Sequence, residues 1–169
     1  GILAVCACEA RKQTELVAGV STQVQVPRDL RTVRVDVTVG GSLVHCSPYK
    51  VYDGRVQLPK TLGTIPASAT GQRVSITVTG FTTDTAEEVT DCGRQVQVSK
   101  ENARILRRSI QTYSPDKILF VPMPLKYACY DVDCSAGGSD STCKAGRCVD
   151  ANVPVESLAE YDDKLVFGD

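Results

Sequence analysis

Four cysteines crowded into CYDVDCSAGGSDSTCKAGRCVD, residues 129–150, with the spacing C-x4-C-x8-C-x4-C, constrain this chain more than any other feature. The stretch is rich in Gly and Ser, and Val132 and Val149 are its main aliphatic side chains, so it cannot bury enough apolar surface to hold a shape unaided. Cross-links must supply the constraint. Structural zinc sites use close Cys pairs separated by roughly two to four residues; here the gaps are at the wide edge of that range and the segment has no His. A redox site would want C-x-x-C beside a βαβ unit, and neither is present. Disulfides remain, each worth about 3 kcal/mol for loops of this size in the chain-entropy account.

Spacing does not fix connectivity. The interleaved pairing Cys129–Cys143 and Cys134–Cys148, as in small knotted modules, is favoured, and Cys46 and Cys92 then pair by elimination, each at the end or border of an expected strand. Eight cysteines in 169 residues far exceed cytosolic usage and point to an exported protein. GILAVCAC at residues 1–8 reads like the end of an apolar signal segment. Val5, Cys6 and Ala7 precede Cys8 in the manner of a bacterial lipobox, which makes Cys8 the expected lipidation site. If Cys6 leaves with the signal and Cys8 carries lipid, six cysteines remain, an even number; an all-disulfide reading is even as well. No apolar run reaches the length of about 18 residues that a spanning helix needs, so membrane attachment is expected through lipid.

Between these cysteine-rich ends the chain alternates. Val33, Val35, Val37 and Val39 interleave with Thr32, Arg34, Asp36 and Thr38, the period of two of a strand with one buried and one wet face. Gly40-Gly41 signals a tight turn into a strand over Leu43–Val51. Val74, Ile76 and Val78 repeat the pattern up to Gly80, and Gln95–Ser99 gives another short alternating run. Residues 56–71 read as a loop crossing between sheets, and 82–90 as a polar, acidic loop. Residues 101–112 suit a helical turn or a strand equally. Ile118–Val121 is β-rich, and because Pro122 and Pro124 each remove a ladder donor, that strand lies at an edge or leaves the sheet there.

Roughly seven or eight short strands without a long amphipathic helix predict an all-β fold: an immunoglobulin-like or transthyretin-like antiparallel β-sandwich with a small disulfide-stapled C-terminal module. The expected organisation is a signal remnant at 1–7, a tether at 8–18, the sandwich at 19–126, the Cys-rich module at 127–150 and an acidic tail at 151–169.

Chemistry is scarce. A formal net charge of −1 gives no electrostatic footprint for nucleic acid. His45 is the only histidine, and as Cys46's neighbour in a strand it points to the opposite face, which rules against a Cys–His nucleophile pair. Asp131, Asp133 and Asp140 with Gly137-Gly138 could approach calcium, but the spacing matches no EF-hand, and solvated acidic residues are the plainer reading. Arg104, Arg107 and Arg108, set against Glu156, Glu160, Asp162 and Asp163, read as solvated faces. No catalytic residue, metal site or cofactor is expected.

The order of features also carries a resemblance. The lipobox cysteine, VPRDLRTVRVDVTVGG, LPKTLGTIP, an isolated cysteine before Gly, ILFVPMPL, and the closing module ending TCKAGRCVD resemble a set of myxobacterial-type surface lipoproteins, over most of residues 8–150. The resemblance implies location and architecture and brings no catalytic residues. The expectation is a non-enzymatic cell-envelope lipoprotein of the outer membrane, a structural or binding module whose partner is a protein or glycan. The alternative is a secreted accessory or inhibitor domain of a larger extracellular enzyme.

Overall fold

A computed structural model describes residues 13–67, 71–92, 94–99 and 102–167. The signal remnant and Cys8 lie outside the described residues. Two sheets face each other. One has the strand order β4-β1-β7, built from β1 (Glu15–Thr22), β4 (Lys60–Thr64) and β7 (Ile118–Leu125). The other has the order β3-β2-β5-β6, built from β2 (Thr32–Val39), β3 (Ser42–Lys50), β5 (Arg73–Phe81) and β6 (Ala103–Thr112). All named pairings are antiparallel except β1 with β7, which run parallel from Glu15 opposite Ile118 to Thr22 opposite Leu125.

Alternation places the core. Val33, Val35 and Val37 of β2 and Val74, Ile76 and Val78 of β5 meet Leu16, Ala18 and Val20 of β1 and Leu119, Val121 and Met123 of β7, all buried. The Gly40-Gly41 hairpin works because both residues hold positive φ, 58° and 85°, the backbone twist a two-residue turn demands. Gly80 does not end β5, as its residue type suggested. The strand continues to Phe81, and a Cβ at Gly80 would lie 2.7 Å from methyls of both Leu30 and Ile105. The glycine leaves room there for the Leu30 and Ile105 side chains.

β7 runs unbroken through both prolines, at the edge of its sheet. Phe120 N–H points away from β1 and donates to Ala159 O at 2.8 Å. Pro122 and Pro124 share its parity, so the donors they lack would have faced outward.

Several segments depart from the sequence expectations. β1 begins at Glu15, inside the stretch read as tether, because Leu16 and Ala18 are needed in the core. β4 arises within the expected crossing loop, pairing with β1. Residues 101–112 resolve to strand over Ala103–Thr112. Gln95–Ser99 forms no strand; α1 (Glu87–Thr90) and the segment after it fold over the outer face of β2 and β5 instead.

The Cys-rich segment adds the hairpin β8 (Ser141–Lys144) and β9 (Arg147–Asp150). It does not stand apart: Cys129 and Cys143 are buried in the main core, with Tyr130, Val132 and Cys134 packed against it. The acidic tail is held as well. Ile110 N–H donates to Ala151 O at 2.9 Å, Val153 N–H to Ile110 O at 2.8 Å, and Tyr161 N–H to Ile118 O at 2.8 Å, so residues 151–161 line the exposed edges of both β6 and β7. α2 (Lys164–Phe167) follows.

Candidate ligand-binding cleft

The outer face of the four-stranded sheet is where the expectation of a simple wet face fails. Strand registers align Cys46 (β3), Asp36 (β2), Thr77 (β5) and Arg108 (β6) in one row across all four strands. Each end of the row holds a covering segment down. At one end Cys46 bonds to Cys92, and this 46-residue separation ties the segment after α1 to the sheet. At the other end Arg108 reaches the Cys-rich module: Nη1 donates to Ser139 O at 2.7 Å and Ser141 O at 3.3 Å, while Nε donates to Thr77 Oγ1 at 3.1 Å. That module is closed by Cys129–Cys143 and Cys134–Cys148, each pair 14 residues apart.

Between the covers lies a cleft of about 490 Å³, within the size range of small-ligand sites. Asp36, Thr38, Ser75 and Thr77 lie on its floor; Gln95 and Gln97 come from one cover, Ser135 and Ser139 from the other. The Arg73–Asp140 ion pair, 2.6 Å, spans from β5 to the module at the rim.

Arg34, one row further along, anchors the first cover. Its side chain is buried, and its donors reach Glu88 O at 2.6 Å, Asp91 O at 3.1 Å and Arg94 O at 3.1 Å. Nε donates to Asp36 Oδ2 at 2.9 Å. Burial pushes the Asp36 pKa above the usual carboxylate value, opposed by Arg34. Its Oδ1 is buried without a hydrogen-bond partner, as is Thr79 Oγ1 on the same floor.

The basic cluster is therefore a set of clamps. Arg107 Nη1 donates to Cys143 O at 3.0 Å, Arg104 pairs with Asp131, and burial pushes the pKa values of Arg107 and Arg108 below the ordinary guanidinium value. The acidic trio is likewise dispersed: Asp131 to Arg104, Asp140 to Arg73, and Asp133 Oδ1 accepting from Ser135 N–H at 2.9 Å. Among the described residues no group of three or more His, Cys, Asp or Glu is placed to hold a metal ion. Cys46 carries no thiol, and His45 Nε2 lies 3.2 Å from Tyr49 Oη, so the Cys–His pair has no nucleophile.

The floor was hidden in plain alternation. Arg34 and Asp36 read as solvent-facing, but Cys46 shares their face of the sheet, and a disulfide from that face to a loop cysteine means that the loop lies over it.

The architecture defines an all-β sandwich carrying a cleft walled by disulfide-held segments. No protein-family model matches the chain, and neither curated proteins nor solved structures match it. No helix among the described residues is long and apolar enough to cross a membrane.

Proposed function

We propose that this chain is a non-enzymatic binding module of the bacterial cell envelope, exported, oxidised, and anchored in the outer membrane through an acylated Cys8. The observation that carries the reading is the row Cys46–Asp36–Thr77–Arg108, whose two ends fasten separate covers over one cleft. Loops placed by a rigid scaffold are the usual seat of binding, and here the loops are also cross-linked, which lowers the ordering cost of occupancy. Sheets of three and four strands support an immunoglobulin-like description of the scaffold. Support for the anchor is the Val5-Cys6-Ala7-Cys8 pattern.

Two measurements test this function. Thiol titration of the native-host protein in denaturant without reductant is expected to find Cys46, Cys92, Cys129, Cys134, Cys143 and Cys148 unreactive; four or more titratable thiols would remove the oxidised module. Intact-mass analysis is expected to find a mature chain starting at a diacylglyceryl-modified Cys8. A mature chain starting upstream of Cys8 overturns the anchor.

A further inference from the structure

We propose that the cleft takes a neutral polyhydroxylated ligand, a carbohydrate chain, with Asp36, Thr77 and Arg108 as the residues that read its hydroxyl groups. The proposal rests on the binding-module reading above and names the ligand class of that same cleft.

Charge is the first argument. Most of the cleft's ionic groups are paired: Asp36 lies 2.9 Å from Arg34 and Arg73 lies 2.6 Å from Asp140, while Arg34 and Arg108 also spend donors on backbone carbonyls. Arg94 and Asp133 have partners too. Among the described residues a cation would find no cleft carboxylate without a partner, and an anion drawn to Arg108, whose own partners are neutral, would also meet the fields of Asp36 and Asp140 that act on it, so desolvating either is costly. A neutral ligand escapes that cost.

The second argument is the pattern of donors and acceptors. A hydroxyl group both donates and accepts. The floor row offers the two complements side by side: Asp36 Oδ1, a buried acceptor that accepts nothing from the described residues, and Arg108, a pure donor, with Thr77 between them. A hydroxyl can donate toward the carboxylate while its oxygen accepts from the guanidinium or from Thr77, and hydrogen bonds to charged groups are the stronger kind. Thr38, Ser75, Gln95, Gln97, Ser135 and Ser139 extend the lining with uncharged groups able to do both.

The third argument separates a glycan from an extended peptide. Peptide strands dock most readily by pairing with a free sheet edge. In this sheet the β6 edge is taken by residues 151–153 through Ile110. The β3 edge carries Pro48 and a bulge at Val44, left unpaired between the Val37–His45 and Thr38–Leu43 pairs. Both features blunt an edge. What the cleft offers is side chains rather than a ladder. Among the described residues no aromatic side chain lines it, so recognition rests on hydrogen bonds together with C–H contact to Leu43, Leu106 and Ile110.

The test is an amide chemical-shift titration of the disulfide-intact chain with neutral gluco-, manno-, galacto- and N-acetylglucosamine-based tetrasaccharides, alongside a tetragalacturonate and a Gly/Ser tetrapeptide. Saturable shifts at Asp36, Ser75, Thr77 and Arg108 with at least one neutral sugar are expected. Asp36→Asn should weaken that affinity about tenfold or more, the scale of one charged hydrogen bond. Because Asp36 also supports Arg34, Thr38→Val serves as a second variant that breaks no hydrogen bond within the described fold and should weaken binding by several-fold. If only the uronate or the tetrapeptide moves the cleft resonances, the neutral-carbohydrate proposal fails and the binding module survives. If every probe leaves the cleft unmoved, or the sugars shift residues elsewhere, both readings fall.

Discussion

Arg34 Nε lies 2.9 Å from Asp36 Oδ2, two residues along the same face of β2, and the rest of the guanidinium holds three carbonyls of the segment that covers them. Neither residue is buried by its own strand; each is buried because the other end of the arginine recruits a lid. Arg34→Lys keeps the charge but replaces a fork by a point donor. Unsatisfied carbonyls and a half-buried carboxylate should then cost about 3 kcal/mol, read as a fall in the urea midpoint with unchanged slope. A loss below about 1 kcal/mol, within the reach of one ordinary hydrogen bond, would show that the lid is held by other means.

Removing the tether on the same lid gives a distinct signature. Replacing Cys46 and Cys92 together by Ala releases a 46-residue loop, worth about 4 kcal/mol in the chain-entropy account. Hydrogen exchange should quicken at residues 94–99 ahead of the β8–β9 hairpin, whose own two bridges remain. Uniform acceleration across both would mean that the two covers open together.

Gly80→Ala tests how tightly the core packs around β5. The new methyl would meet Leu30 and Ile105 at 2.7 Å, and overpacking of this kind costs about 1–3 kcal/mol. Thermal melting of the variant checks the figure, and a stability equal to wild type would show that Leu30 swings aside freely.

Where β3 ends, Lys50 and the Tyr52 hydroxyl hold the Asp84 carboxyl down to about 2. Because the folded value is depressed, the stabilisation is fully present above the ordinary value of 3.8 and is lost as pH falls from there through about 2. Carboxyl NMR should report a midpoint near 2 for Asp84, and Lys50→Met should raise it. A wild-type midpoint at the ordinary value would mean that the Lys50 and Tyr52 contacts are not kept in solution.

Deleting residues 151–167 strips the backbone partners from Ile110, Ile118 and Phe120 and opens the stretches of β6 and β7 that they cover. Unpaired edges recruit other chains, so light scattering should show concentration-dependent association of the shortened chain. A monodisperse monomer at high concentration would show that the edges are protected otherwise.

Much of this architecture is legible in the residues, and what escaped has a common cause. Val33, Val35 and Val37 advertise a buried strand face by period alone, and the Gly40-Gly41 turn by residue type. Period says nothing about what covers the opposite face. Arg34 and Asp36 look solvated until Cys46 is placed beside them, and Arg108 looks like a surface cation until Ser139 and Ser141 come within reach. The same holds for β4, whose sequence KTLGT is too short to show a period and becomes a strand only because β1 offers it an edge. For the last four cysteines spacing leaves the choice open; in the interleaved bridges Cys129 and Cys143 join the core, while Cys134, packed at its border, reaches the exposed Cys148.

One residue of β7 has a mechanical consequence. Ile118 stands opposite Glu15, the first described residue in a strand, and its carbonyl accepts from Tyr161, the last of the described residues to seal a sheet edge. Incoming and outgoing backbone thus flank a single point. A pull between residues 15 and 161 would load that corner one bridge at a time, as a zipper, while the disulfide-bound cleft stays off the line of force. The body can be held at that corner without its cleft carrying the strain.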